Sequence, residues 1–221
     1  MIKYFLTGVV VVLMGSLYFL NTMYPDVKGR LFFSVFVVLV ALVKIWESFY
    51  TSKEKDALKY HGDWTLILTA LLYFATGIVI VLEFFIINRK LNLYFVIIGL
   101  AIFLSAILLR CWSIKTLGNQ WAIHVAGPSK LNNELALITT GPYKYVRHPI
   151  YLSYILDLMG LAIAFSAFYA LLFVIIINVP SYILRSLFEE KSALKHFGRQ
   201  YSEYKNRTSF MIPLKKSRES P

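Results

Sequence analysis

The sequence predicts an all-α, polytopic transmembrane helical bundle of about six spans. Three observations carry this expectation. Of 221 residues, 58% are hydrophobic and 16% aromatic, with mean hydropathy +0.62. That is too apolar for an ordinary soluble domain. The apolar residues fall in runs near the roughly 20 residues that a bilayer crossing needs. The net charge is +11 with a pI near 9.6. Beside this hydropathy, such a balance points to a membrane protein with a basic cytoplasmic side and away from nucleic acid as a partner.

Tyr4–Leu20 is the first candidate span. It is similar to a signal-peptide core, but no convincing small-residue cleavage site precedes Asn21, so it reads as a retained helix. Leu31–Tyr50 is the second, with Lys44, Trp46 and Glu47 near its end; Trp64–Ile87 and Leu93–Trp112 follow. Ile150–Leu184 is too long for one crossing of a core about 30 Å thick and reads as a hairpin turning near Phe165–Ala167. Residues 1–112 then hold four N-terminal transmembrane helices. Residues 113–221 form the half that carries chemistry: a loop, the hairpin, a helix and a basic tail. No internal repeat or low-complexity segment interrupts this plan.

Lysine and arginine orient it. With the N-terminus inside, one face carries Lys3, Lys53, Lys55, Lys59, Lys115, Lys130, Lys144, Arg147 and the basic residues from Arg185 to Arg218. The other has only Lys28, Arg30, Arg89 and Lys90. The positive-inside rule therefore puts both termini and loop 113–148 in the cytoplasm. Cys111, the one cysteine, excludes an intrachain disulfide and reads as packing at a helix end, without the surroundings of a catalytic thiol.

The chemistry-bearing stretch is Gly141–Tyr151, GPYKYVRHPIY. Pro142 and Pro149 bracket it, and each disfavours helix in the residue before it. The stretch is therefore a shaped loop. Pro149 suits the first position of a new helix with His148 at the cap, so Arg147 and His148 stand at a helix N-terminus, where anions are favoured. The bland alternative is a membrane-surface turn with a basic flank. Downstream, Pro180 should kink the last span at the Ile176 carbonyl, and Gly198 should cap the helix that follows. On that helix Leu187, Glu190, Leu194 and Phe197 share a face, whereas Glu189 lies over Arg185 at i, i+4. Glu190 is then an inward carboxylate that needs a ligand or a buried cation. Glu189 has a salt-bridge partner and can stay partly solvated.

Arg110-x-Trp112, Leu117-Gly118-x-x-Trp121, GPYKYVRHPIY and EEKSALKHFGRQYSEY together resemble the isoprenylcysteine carboxyl methyltransferases, and more broadly the membrane methyltransferases that include phospholipid N-methyltransferases. The resemblance covers about the last half of the chain. One departure is Ser153, where many members have glycine; a larger side chain there alters helix packing or narrows a pocket.

The resemblance implies S-adenosylmethionine as cofactor, no metal, and a lipid-like small molecule or lipidated acceptor reached from the bilayer at the cytoplasmic face. Cofactor-binding positions carried over are Trp121, Gly141, Tyr143, Tyr145, Arg147, His148, Pro149, Tyr151, Glu189 and Glu190. The residue types suit that ligand. Arg147 and His148 match its carboxylate. Glu189 or Glu190 matches its ribose hydroxyls or ammonium. Tyr143, Tyr151 and Trp121 offer faces to adenine or the sulfonium. Of the two glutamates, Glu190 is expected to matter more for cofactor affinity, because it points inward.

Arg110, Glu190 and Asp157 are the candidate catalytic residues. Asp157 lies about 12 Å along the helix from Pro149, where an ionisable group is either functional or structural glue with Asn178 or a tyrosine. Arg110 either binds the acceptor's anionic group or snorkels at a span's end. Three acceptors fit the outline equally: a prenylcysteine carboxylate, a phospholipid amine, and an alkylated phenol or pyrone. Two rival classes are a sterol-type reductase using NADPH and a non-catalytic scaffold. The paired RHPxY and EExxL elements argue against the scaffold, and a test of S-adenosylmethionine against NADPH binding separates the two enzymes.

Overall fold

The computed structural model describes residues 14–51, 64–88, 90–118 and 136–213. Within them every element is helical, apart from an isolated parallel bridge between Val146 and Ser209. Residues 14–23 form α1, and Arg30–Thr51 form α2. Two long apolar helices follow, α3 (Trp64–Ile87) and α4 (Leu93–Leu117). A 3-10 turn at Gly141–Lys144 precedes α5 (Pro149–Ala164). Then come α6 (Phe168–Phe173), a π-helical turn at Val174–Asn178, α7 (Val179–Phe197) and α8 (Arg199–Arg207). Of these, Trp64–Ile87, Leu93–Leu117 and the continuous Phe168–Phe197 are long and apolar enough to cross a membrane. Arg30–Val43 and Pro149–Ala164 are shorter apolar helices.

Local chemistry explains the boundaries. Asn92 caps α4 by accepting the Tyr94 N–H at 2.9 Å. The helix outruns the expected end at Trp112 by a further turn and a half, to Leu117, because nothing in Ser113–Leu117 breaks it before Gly118. Cys111 therefore sits inside a helix, and it faces outward rather than packing. The hairpin turns at Phe165–Ala167, as expected, with Ala167 N–H donating to Ala162 at 2.8 Å. Pro180 produces no abrupt break. The carbonyls its ring would strike are displaced into the π-helical turn just upstream, and the helix runs on into α7. Gly198 ends α7 at φ 54°, its N–H donating to Leu194 at 2.9 Å.

The two ends of the bundle differ. At the hairpin tip, Phe33 stacks on Phe84 at 4.1 Å and meets Phe165 edge-on at 4.6 Å. Ile80, Phe85, Phe103 and Ala164 complete that core. α4 and α5 cross closely there: a Cβ on Gly160 would stand 2.7 Å from the Gly99 carbonyl and 2.7 Å from the Phe103 nitrogen. This approach seats one helix directly on the other. It thereby brings the far end of α4, with Arg110, against the start of α5. The ion-paired side chains of α4, α5 and α7 gather at that far end.

Candidate functional site

The site is built where the 3-10 turn, the N-terminus of α5, α7 and the segment after α8 converge. Gly141, at φ 57°, lies against the end of α4, where a Cβ would stand 2.5 Å from the Thr116 hydroxyl. The chain after α8 folds back as a strap. Arg147 N–H donates to Ser209 O at 2.9 Å, and His148 N–H to Phe210 O at 3.2 Å. The Phe210 ring rests 5.1 Å from the His148 ring. As expected, His148 caps α5 and Pro149 takes its first turn.

Glu190 is 3% exposed and surrounded by cations. Arg147 Nε donates to it at 2.6 Å, Lys205 Nζ lies at 2.7 Å and His148 Nε2 at 3.3 Å. Arg147 also donates to the carbonyls of Lys205 and Thr208. The inward carboxylate of the sequence reading is thus present, but protein cations offset its desolvation. The helix face also differs from expectation: Leu187 and Leu194 point outward, 50% and 37% exposed.

Glu189 is the more open carboxylate, its side chain 28% exposed. The Tyr151 hydroxyl donates to it, His148 Nδ1 lies at 3.6 Å, and Arg185 Nε at 4.0 Å. Burial alone would lower the His148 pKa. Hydrogen bonds and charge from Glu189 and Glu190 outweigh it and hold the imidazole above its usual range. Tyr143 is buried beside this pair. Burial pushes its hydroxyl pKa up, and the Glu189 charge adds to the shift. Its carbonyl accepts the Tyr204 hydroxyl at 2.7 Å, while its own hydroxyl meets no partner among the described residues.

A second cluster lies deeper. Arg110 is 4% exposed, so it is a buried cation and not a snorkelling flank residue. It pairs with Asp157, which is fully buried, and donates through Nε to the Ser153 hydroxyl at 3.1 Å. Its guanidinium lies 4.3 Å over the Tyr154 ring. The Tyr73 hydroxyl donates to Asp157 at 3.3 Å. Asn178, the other partner considered for Asp157, donates instead to Thr76 at 2.6 Å. Stacked rings join the clusters: Tyr154 on Tyr182 at 5.9 Å, Tyr182 on Tyr151 at 5.7 Å, and Tyr151 on His148 at 5.9 Å.

The fold therefore gathers Tyr143, Arg147, His148, Tyr151, Glu189 and Glu190 in one cluster and Arg110 with Asp157 in another. Gly141 and Pro149 shape the turn. Tyr145 is 57% exposed and stands apart from both clusters, and Trp121 lies outside the described residues. The sequence reading missed three contributors. Arg185 counted only as the helix partner of Glu189, yet it is 1% exposed. Ser153 was noted for its size, whereas its hydroxyl binds Arg110. The strap at 208–211 was not foreseen; its only sequence signal is a short apolar run ahead of Pro213.

Fold and site together define a polytopic membrane protein with an ionised, partly open cluster at the end of a helical hairpin. Residues 97–196 match the model of the isoprenylcysteine carboxyl methyltransferase (ICMT) family. The chain is 25% identical over 203 residues to the protein-S-isoprenylcysteine O-methyltransferase of Saccharomyces cerevisiae, covering 87% of this chain and 83% of that protein. The Schizosaccharomyces pombe protein of the same name is 29% identical over 106 residues, 48% of this chain and 44% of its own length. The solved eukaryotic intramembrane Ras methyltransferase ICMT shares the fold with a TM-score of 0.62 at 19% identity, over 94% of this chain and 85% of the other.

Proposed function

We propose that this chain is an integral membrane methyltransferase that uses S-adenosylmethionine to methylate the carboxylate of a lipid-like acceptor of the isoprenylcysteine type. One observation carries the reading. The side chains suited to donor and acceptor come together as two clusters on successive turns of α5, linked by stacked tyrosines. The match to the family model and the names of the yeast relatives support the reaction class.

The residues fit such a donor. The buried Tyr143 hydroxyl has a hydrogen to give and no described protein acceptor. Glu189 keeps an open edge for an ammonium or ribose hydroxyls, and His148 adds positive charge beside it. Glu190 is a brace: it ties Arg147, Lys205 and His148, and so fixes the turn and the strap that wall the site. S-adenosylmethionine, when bound, supplies a methyl group already activated by its sulfonium.

Arg110 is the buried cation placed for an acceptor carboxylate, with Asp157 and Ser153 orienting its guanidinium. A carboxylate brings its own lone pair, so no proton has to be removed. The chain's work is to align and to exclude water, and such positioning accounts for much of the acceleration. The apolar flanks of the hairpin suit a prenyl chain, and the site faces the cytoplasm on the charge asymmetry of the loops.

The test is methyl transfer from labelled S-adenosylmethionine to an S-farnesylcysteine derivative by the purified full-length chain. Methylester formation is expected. Binding of S-adenosylmethionine without transfer would overturn the acceptor, and binding of NADPH in its place would overturn the reaction class.

A further inference from the structure

Helix α3 lies outside the stretch that matches the family model, yet it reaches the donor side of the site. Thr65, Thr69, Tyr73 and Thr76 recur every three or four residues and so share one face. Their hydroxyls act differently. Thr69 donates within its own helix, to Thr65 O at 2.9 Å and Leu66 O at 3.1 Å, a common habit of threonine in apolar helices. Thr65 reaches across: its hydroxyl accepts Arg185 Nη1 of α7 at 3.1 Å. The two residues are 120 positions apart in sequence, and both are buried.

From Arg185 the contacts run straight to the carboxylate with the open edge. Arg185 Nε donates to the Tyr151 hydroxyl at 2.7 Å, and that hydroxyl donates to Glu189. The guanidinium lies 5.7 Å from the centre of the Tyr151 ring. A guanidinium is a rigid plane, so the hydrogen bond at one nitrogen sets the direction of the others. Binding groups must be held within about 0.5 Å of their working positions, and supporting hydrogen bonds do this. We infer that Thr65 is a positioning residue for the donor site: through Arg185 and Tyr151 it fixes where the Glu189 carboxylate stands.

The inference rests on the reading of Glu189 as donor-facing, and the experiment separates the two. Full-length wild-type, Thr65→Val, Thr65→Ser and Thr69→Val are purified in detergent. Affinity for S-adenosylmethionine is measured by calorimetry and the apo thermal midpoint by unfolding. Valine keeps threonine's shape and loses only the hydroxyl. Thr65→Val should weaken binding about 3- to 10-fold, the scale of one hydrogen bond, with little change in thermal midpoint. Thr65→Ser, which keeps the hydroxyl, should restore affinity. Thr69→Val should bind as wild-type does. Wild-type affinity in Thr65→Val overturns the inference alone. So does an equal loss in Thr69→Val, or a loss matched by a fall in thermal midpoint, because packing of the α3 face would then explain it. No binding by the wild-type chain overturns the donor reading and the inference with it.

Discussion

Glu189 and Glu190 are neighbours in sequence with opposite surroundings. A helix turns about 100° per residue, and that rotation separates a carboxylate enclosed by three cations from one with an open edge. Glu190→Gln removes the negative member of a buried ionic group and leaves Arg147 and Lys205 facing each other. We expect it to cost about 3 kcal/mol of stability, read as a lower thermal midpoint. Glu189→Gln should leave the midpoint near wild-type and weaken S-adenosylmethionine binding about tenfold. The reverse pattern would return Glu190 to the ligand-facing role that its inward position suggested. His148 supplies a pH test. Its folded pKa is raised above the usual 6.5, so its charged form is the one stabilised. That stabilisation is complete below the ordinary imidazole range and is lost as pH rises through the raised value. The wild-type thermal midpoint should therefore fall more steeply toward alkaline pH than that of His148→Gln. Parallel curves would show that the imidazole binds its proton equally well in the folded and unfolded chain, and so that its pKa is not raised.

At the scale of elements, the α4–α5 crossing and the hairpin tip hold the site from a distance. Gly99 and Gly160 let two backbones touch, and Arg110 lies three turns from Gly99, opposite Ser153 and Asp157. Gly160→Val must push the helices apart or strain them, at a cost of about 2 kcal/mol or more. It should also weaken acceptor KM more than Gly77→Val, since a Cβ at Gly77 meets nothing within 4 Å. Equal effects of the two variants would mean that helix propensity, not spacing, matters. At the tip, Glu83 of α3 is 5% exposed and accepts the N–H groups of Tyr169 at 3.2 Å and Ala170 at 2.9 Å. It caps the returning half of the hairpin from a neighbouring helix. Glu83→Ala leaves those N–H groups in apolar surroundings and should lower stability by about 2 kcal/mol. Unchanged hydrogen exchange at Tyr169 and Ala170 would argue against the cap.

The whole molecule has an apolar aromatic end and an ionised end. The charge asymmetry of its loops supports the proposal that the ionised end faces the cytoplasm. In a Cys111→Ser background, a cysteine at exposed Lys144 should label only from the cytoplasmic side, and one at exposed Asn88 only from the opposite side. Labelling of residue 144 from outside would invert the topology and place the proposed site on the wrong face.

Much of this architecture was legible in the sequence because it rests on local physics. Span length marked Trp64–Ile87, the excess length of Ile150–Leu184 required a turn at Phe165–Ala167, Pro149 started α5, and Gly198 ended α7. Each depends on residues within a turn or two of one another, or on the thickness of the bilayer. Which charge meets which was not legible. Arg110 and Asp157 are 47 residues apart, Arg147 and Glu190 are 43, and Arg185 and Thr65 are 120. Each residue alone could have been a flank, a ligand or glue. The sequence by itself determined that ionisable groups lie at membrane depth beside a proline-bracketed turn. Only the tertiary structure decided that they neutralise one another and leave Glu189 open, because a buried charge takes its meaning from the partner that long-range packing brings to it.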